Sequence, residues 1–392
     1  MISYADFISV AIMKEKKKVC LVVTCLLIVK FFLLPHITRL AKNYDLTLIV
    51  NVDDVEFLES LALPCTVISV NIQRKVSPWY DLQVLWQLIK LFKANRFDLV
   101  HSISPKSGLL ATLAAWFIRI PVRLHTFQGE VWVTRHGFWR AILKNLDRLV
   151  AKLATRLTVV SHSERHFLIE QGIINSEKSQ VLVNGSICGV DAKRFFADEV
   201  LAKEQRAELG IAEDDLVILF LGRMNRDKGV LDLANAFIQI AQQVPNAVLL
   251  LVGPDEDNIV HEIQQIAAKF LSRIKITGFT NNPERFMRTA DVLCLPSYRE
   301  GFPISILEAA ATSVPAVCSR IYGITDAIED GKTGLLVNPN DISDLADALL
   351  KLIADKKLCQ QMGEAARMRA LELFSSEKIT KAMLGLYDEL LS

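Results

Sequence analysis

The stretch Val292-Leu293-Cys294-Leu295-Pro296-Ser297-Tyr298-Arg299-Glu300-Gly301-Phe302-Pro303-Ile304-Ser305-Ile306-Leu307-Glu308 passes from an apolar run, through a short polar turn, into a helical pattern. A short apolar run bounded by turn residues reads as a buried strand, and Ile304 to Ala311 reads as helix. Gly301 gives the backbone freedom for a sharp turn, and Pro303 suits the first turn of a helix. Glu300 therefore falls on the loop, and Glu308 lies about a turn and a half into the helix. Two carboxylates at one strand-to-helix junction, beside a helix N-terminus that favours anions, form a natural seat for ribose, sugar and phosphate. Surface glutamates at this spacing also arise by chance, so the surrounding sequence decides.

The same alternation of apolar run and helical pattern continues in both directions. Strands are expected at Val19 to Thr24, Leu46 to Asn51, Thr66 to Val70, Leu99 to Ser102, Arg123 to Phe127, Leu157 to Ser161 and Gln180 to Val183. The second half repeats the pattern at Leu216 to Leu221, Ala247 to Gly253, Lys275 to Gly278, Val292 to Leu295, Ala316 to Ser319 and Leu335 to Val337. This is the rhythm of an α/β protein with two Rossmann-like, doubly wound parallel-sheet domains. A polar charged segment, Phe196 to Glu204, follows the loop Asn184 to Asp191 and places the division near residue 200. The expected units are residues 1–200, residues 201–374 and a C-terminal helix in residues 375–392. The amphipathic stretch Ile379 to Leu391 gives that helix one apolar face, which could pack back on the N-terminal domain.

Composition narrows the class. A chain of 392 residues, 51% of them apolar, can fill two cores. A formal net charge of +1 argues against a nucleic-acid partner. The seven cysteines show no paired spacing and suit a reducing cytosol. His162 and His166 are four apart, yet no third ligand accompanies them, so no metal site is expected there. Lys14, Lys16, Lys17 and Lys18 before the apolar run Val19 to Val29 imitate a signal peptide, but Lys30 interrupts the run and a buried first strand is the better reading. Met13 offers an alternative start, leaving residues 1–12 as an extension.

After the first strand of the second half comes Gly222-Arg223-Met224-Asn225-Arg226-Asp227-Lys228-Gly229, then a helical run from Val230 to Ala241. Cations and exposed amides are thereby set at the carboxyl end of a strand, where open α/β sheets bind ligands. Arg223 can grip a diphosphate in bidentate fashion, and Lys228 can act as a point charge. Gly253-Pro254 ends the next strand, and Gly323 with Asp326 follows another. Such strand ends compose a nucleotide-diphosphate cleft. Asp255-Glu256-Asp257 formally matches an acid-x-acid metal pattern, but it sits on a loop where surface acids are ordinary.

With these residues in place, the chain resembles the family 4 glycosyltransferases of two-domain GT-B fold, from about Lys17 onward. The carriers are the Gly-Arg-x4-Lys-Gly loop at Gly222 to Gly229, the Glu-x7-Glu motif at Glu300 and Glu308, and the closing Gly331-Lys332-Thr333-Gly334-Leu335-Leu336-Val337. The resemblance implies two domains facing a cleft, the first for the acceptor and the second for a nucleotide sugar. It implies that Arg223 and Lys228 hold the donor diphosphate, Glu308 the ribose hydroxyls and Glu300 the donor sugar. Gly222, Gly253, Gly301, Phe302 and Pro303 complete the implied donor site. His125, in His125-Thr126-Phe127-Gln128-Gly129, resembles the family's histidine facing the donor sugar, so Glu300 and His125 are the catalytic candidates; a satisfied core histidine is the alternative.

Three features depart from the family pattern. The first glycine is Gly108, so the glycine-rich loop after the first strand is replaced by the apolar segment Cys25 to Leu34, read as a loop whose only charge is Lys30. Ser313 stands in place of a glycine, and Asp326 in place of a glutamate. Gly137 to Arg156 reads as a helix with Arg140, Lys144, Arg148, Lys152 and Arg156 at four-residue steps, suited either to an anionic membrane surface or to plain solvation. The expectation is a retaining hexosyltransferase without metal or other cofactor, peripheral at the inner face of the plasma membrane. It would move a hexose or N-acetylhexosamine from a nucleotide diphosphate, UDP first, to a lipid-diphosphate-linked saccharide of O-antigen or capsule type. A GT-B nucleotide-sugar epimerase and a non-catalytic sugar-nucleotide-binding protein stay open.

Overall fold

The apolar run behind the N-terminal lysines is a central strand. In the computed structural model, which describes residues 16–73 and 77–392, Lys18–Val22 forms β1 between two parallel neighbours, β2 (Asp45–Val50) and β4 (Leu99–Ile103). Residues 1–12 and the alternative start at Met13 lie outside the described residues. Val19, Cys20, Leu21 and Val22 are buried, as a continuous β-branched and aliphatic run requires when helices cover both faces of a parallel sheet.

The remaining strands of the first sheet are β3 (Thr66–Ser69), β5 (Val122–Phe127), β6 (Arg156–Val159) and β7 (Ser179–Gln180), in the order β3-β2-β1-β4-β5-β6-β7. The second sheet contains β8 (Leu216–Leu221), β9 (Ala247–Val252), β10 (Ile274–Gly278), β11 (Val292–Leu295), β12 (Ala316–Ser319) and β13 (Gly334–Val337), ordered β10-β9-β8-β11-β12-β13. Every pairing is parallel. The strand order reverses between β8 and β11, so the loops leaving their carboxyl ends splay apart and open a crevice there.

Four local expectations are corrected. Cys25 to Leu34 is helical, not a loop: Leu26–Ile28 leads into a π-helical turn, Val29–Leu33, and then into the helix Leu34–Asn43. Its apolar residues Leu26, Val29 and Leu33 are buried, which is why the segment needs no polar surface. The basic helix stops at Leu153, and Arg156 begins β6. The strand expected at Gln180 to Val183 ends at Gln180, because Val183 takes φ +53° and breaks the extension. Pro303 is the cap of helix Ile304–Ala311, one residue before its first turn.

The final helix, Ser376–Leu391, buries Ile379, Met383, Leu386 and Tyr387, which fall on one face at spacings of four, three and one. Val190 N donates to Phe374 O at 2.8 Å and Ser376 N to Val190 O at 3.0 Å, turning the chain toward the first sheet. There the Tyr387 hydroxyl meets His101 Nδ1 of β4 at 2.7 Å, and Tyr44 bonds to Asp388. Full burial of one such aromatic contributes on the order of 2 kcal/mol.

Candidate active site

Two loops of the second sheet meet where its strand order reverses. The segment after β8 closes in one 3₁₀ turn, Arg226–Lys228, before Gly229 opens the helix Val230–Gln243. Tyr298 N donates to Asp227 O at 2.9 Å and Arg299 pairs with Asp227 at 3.0 Å, tying this turn to the loop after β11. Lys228 Nζ is thereby set 2.5 Å from Glu300 Oε1, which also accepts from Ser297 Oγ at 2.8 Å. Both charged side chains are largely buried, at 17% and 10% exposure. An ammonium carries three donors, so Lys228 keeps two for another acceptor while it holds Glu300 in place. The serine bond offsets part of the desolvation cost of a buried ion pair.

Glycines shape the floor of this crevice. A β-carbon at Gly253, where φ is +141°, would stand 2.7 Å from Gly222 C, so β8 and β9 end in a backbone crossing that only glycine permits. Arg223, half exposed, pairs with Glu256 at 2.7 Å, and Asn225 Nδ2 donates to the same oxygen at 3.1 Å. The neighbouring acids fix the loop: Asp255 accepts from Ile259 N at 2.9 Å and Val260 N at 3.1 Å, and Asp257 from Arg226 N at 2.9 Å. Among the described residues no group of three His, Cys, Asp or Glu is placed to hold a metal ion.

Glu308 lies on the helix behind Glu300, near Arg194, Glu284 and Cys188. Burial pushes its carboxyl up to about 7, with Arg194 pulling the other way and Glu284 adding to the rise. Arg194 pairs with Glu284 at 2.8 Å and donates to Asn281 O at 3.0 Å. Lys30 donates to Asn281 Oδ1 at 2.6 Å, so the one charge of the apolar segment after β1 reaches the second domain. Burial, then Arg194, lower its pKa.

His125, on β5, is buried beside a small cavity with Ser104, Gln128, Gly129, Glu130 and Asp147. Its Nδ1 lies 2.9 Å from Ser102 Oγ, and its ring meets Phe127 edge-on with centroids 4.7 Å apart. Gly108 lies under the ring, where a β-carbon would come within 2.9 Å of Nδ1. Burial lowers its pKa to about 4, so the imidazole is neutral near pH 7 and can bond a hydroxyl without acting as a cation. The rim of this cavity touches the loop after β11 directly. A β-carbon at Gly301 would stand 2.6 Å from Gly129 N, and one at Gly129 2.8 Å from Gly301 N.

Asp326 is not part of the crevice. It accepts from His162 N at 2.8 Å and from the amide and hydroxyl of Ser163, at the N-terminus of helix His162–Glu170, while Gly323 N donates to Ser163 Oγ at 2.7 Å. A carboxylate on a helix N-terminus is a favourable pairing, here used to clamp one domain to the other. The basic stripe is partly engaged as well: Lys144 bonds Gln171, Arg148 bonds the carbonyls of Gln171 and Gly172, and Arg156 pairs with Glu389. Ser297, Arg194 and Arg299 escaped the sequence reading. Ser297 and Arg299 stand in the quoted turn, but only folding shows that they face Glu300 and Asp227.

The Glycosyl transferase 4-like domain matches residues 40–185, and the Glycosyl transferases group 1 domain matches residues 202–369. The chain belongs to the GT-B glycosyltransferases of the family-4-like group. This glycosyltransferase is 29% identical over 323 residues to the capsular polysaccharide biosynthesis glycosyltransferase CapM of Staphylococcus aureus, covering 82% of this chain and 84% of that protein. It is 27% identical to the UDP-Gal:alpha-D-GlcNAc-diphosphoundecaprenol alpha-1,3-galactosyltransferase of Escherichia coli, covering 81% of this chain and 82% of that one. In fold the glycosyltransferase is similar to Anabaena HepE in complex with UDP and glucose, with a TM-score of 0.79 at 19% identity over 95% of this chain and 100% of that chain.

Proposed function

We propose that this glycosyltransferase is a retaining enzyme moving a hexose or N-acetylhexosamine from a nucleotide diphosphate, UDP first, to a lipid-diphosphate-linked saccharide of O-antigen or capsule type. The observation that carries the reading is the Lys228–Glu300 pair at 2.5 Å, seated between the starts of helices Val230–Gln243 and Ile304–Ala311. A cation and helix N-termini meet the charge that develops on a leaving diphosphate, while the carboxylate beside them accepts from sugar hydroxyls. Arg223 joins the diphosphate by leaving Glu256. Glu308 accepts from the ribose, and neutral His125 bonds a hydroxyl of the donor sugar from the opposite wall. The activity named for the Escherichia coli relative, on a diphosphoundecaprenol-linked sugar, supports the acceptor class.

The acceptor places the enzyme at the inner face of the plasma membrane as a peripheral protein. Among the described residues no helix is long and apolar enough to cross a membrane. The surface turned to anionic lipid is taken to be the start of helix Gly137–Leu153, where exposed Phe138 and Trp139 stand beside exposed Arg140. Aromatic rings and cations combine in this way at headgroup level.

Incubation with a panel of nucleotide sugars, with and without a lipid-diphosphate saccharide, tests the reading. Transfer that requires acceptor, keeps the anomeric configuration and survives EDTA is expected. Isomerised donor in the absence of acceptor would instead make the protein an epimerase, and no donor turnover under any condition would make it a binding protein.

A further inference from the structure

Two buried carboxyls beside the donor crevice form no ion pair among the described residues. Glu130 follows the Gln128-Gly129 turn after β5, and Glu164 lies in the first turn of helix His162–Glu170; they are 2% and 0% exposed. Glu164 Oε1 accepts from Gly129 N, and Glu130 Oε2 accepts from the Tyr322 hydroxyl of the second domain at 3.1 Å. The other two oxygens, Glu130 Oε1 and Glu164 Oε2, are buried and meet no hydrogen-bond donor among the described residues, and the two carboxyls stand on either side of Gly129, one bonded to its N–H and the other on the next residue. Two ionised carboxylates so close and so buried would repel each other with no water to screen them. One of them must hold a proton, as in any close carboxyl pair shielded from water.

The groups around the pair leave that proton in place. Arg299 draws Glu130 down, but its ion pair is with Asp227 at 3.0 Å. Asp147, on helix Gly137–Leu153, accepts from Trp132 Nε1 at 2.8 Å and is itself pushed up to about 7 by burial, with Glu130 adding to the rise. Tyr322 is neutral, stacked on Phe167 at 4.6 Å. Asp326 and His162 lie at the start of the helix that carries Glu164, where Asp326 is bound by backbone amides. Burial, then the charge of Glu130, push the Glu164 carboxyl well up, and burial raises Glu130 too.

Position gives the pair its consequence. Gly129 is gripped on both sides, its N–H by Glu164 and its carbonyl by Arg299 Nη1 at 3.4 Å, and its backbone abuts Gly301, the residue after Glu300. We propose that Glu130 and Glu164 are positioning residues for the transfer: one proton shared between their carboxyls holds the Gln128-Gly129 turn against Gly301 and so fixes the seat of Glu300. This rests on the reading of Glu300 as the acceptor of donor-sugar hydroxyls. Loss of the proton at alkaline pH leaves two anions facing each other and loosens the contact between the domains.

The test is the pH profile of kcat with the full-length enzyme, its donor and a lipid-diphosphate acceptor. Glutamine at position 164 supplies permanently the N–H that the proton supplies in the native pair. Glu164→Gln should therefore keep kcat within threefold at the optimum and move the alkaline limb up by at least one pH unit, whereas Glu164→Ala should cut kcat at least tenfold with nucleotide-diphosphate affinity changed less than threefold. An alkaline limb unmoved in Glu164→Gln overturns the proposal, as does Glu164→Ala with kcat within twofold of native. Should the alanine variant fail to fold, Glu130→Gln, which can donate to Glu164 in the same way, must shift the limb in the same direction, and an unmoved limb there overturns it as well. Glu300→Gln run in parallel keeps the two readings apart: normal transfer by that variant removes the donor-site reading, while an inactive Glu300→Gln beside an unmoved Glu164→Gln limb removes only the shared proton.

Discussion

Lys228 and Glu300, 72 positions apart, form a part-buried ion pair with Nζ and Oε1 2.5 Å apart. The bond exists because Asp227 is tied to both Tyr298 and Arg299, so the two loops cannot move independently. Each member thereby sets the direction of the other.

Glu300→Gln should leave the fold intact and lower transfer at least tenfold. An amide gives a weaker acceptor to a sugar hydroxyl and to Lys228, and a charge-assisted hydrogen bond contributes roughly 1.5 to 3 kcal/mol. Steady-state turnover on saturating donor is the measurement, and near-native rates would remove Glu300 from the site.

Lys228→Ala and Arg223→Ala should both weaken binding of the nucleoside diphosphate while hardly touching the nucleoside. The loss should be larger for Lys228, which is buried and already aimed, than for Arg223, which must leave Glu256 first. Calorimetric titration of both ligands decides: equal losses for nucleoside and diphosphate would point to a damaged fold.

Glu308 predicts a pH dependence near neutrality. Its carboxyl is raised to about 7 from an ordinary value near 4.3, so its contribution to stability is complete below about pH 4 and is lost as pH rises through 7. Only the ionised form is a full acceptor for ribose hydroxyls, so nucleoside affinity should increase between pH 6 and 8. Glu308→Gln should flatten that increase and should melt at relatively higher temperature than native above pH 7. An unchanged affinity profile in the variant would place the titration elsewhere.

Ser313 should yield stability on replacement by glycine. Its φ of +64° lies in the left-handed region, which costs a side-chain-bearing residue about 1 to 2 kcal/mol, only part of which glycine's extra unfolded-state entropy takes back. Ser313→Gly is expected to gain about 0.5 to 1 kcal/mol in denaturant unfolding. A loss would mean that the hydroxyl makes a contribution of its own.

Membrane attachment should depend on the aromatic residues as well as the cations. Phe138→Ala with Trp139→Ala removes two rings that are 75% and 61% exposed, so folding should be unaffected while sedimentation with anionic vesicles falls several-fold. Arg140→Glu, a change of two charge units, should add a salt-sensitive loss of about 2 kcal/mol. Transfer to a water-soluble acceptor should be preserved in each case. Vesicle binding that survives the double alanine variant would move the membrane face away from this helix.

Local chemistry made the strands, the helix after Glu300 and the Lys228 loop legible, because burial between two helical layers demands continuous apolar runs and tight strand-to-helix turns demand glycine. The apolar run at Val19 and the junction at Leu295 to Ile304 needed nothing more than periodicity and turn residues. Long-range partnerships were not legible. That Asp326 binds the helix start at His162, that Arg223 sits on Glu256, and that Lys30 reaches Asn281 depend on how two sheets are set against each other. The sequence alone therefore determined the α/β architecture, the Glu300 and Glu308 motif and the family resemblance, since each is written within a few consecutive residues. Tertiary structure decided which charges pair, which carboxyls lose water and where Gly129 meets Gly301, because hydrogen bonds and desolvation act between groups that only folding brings within a few ångströms.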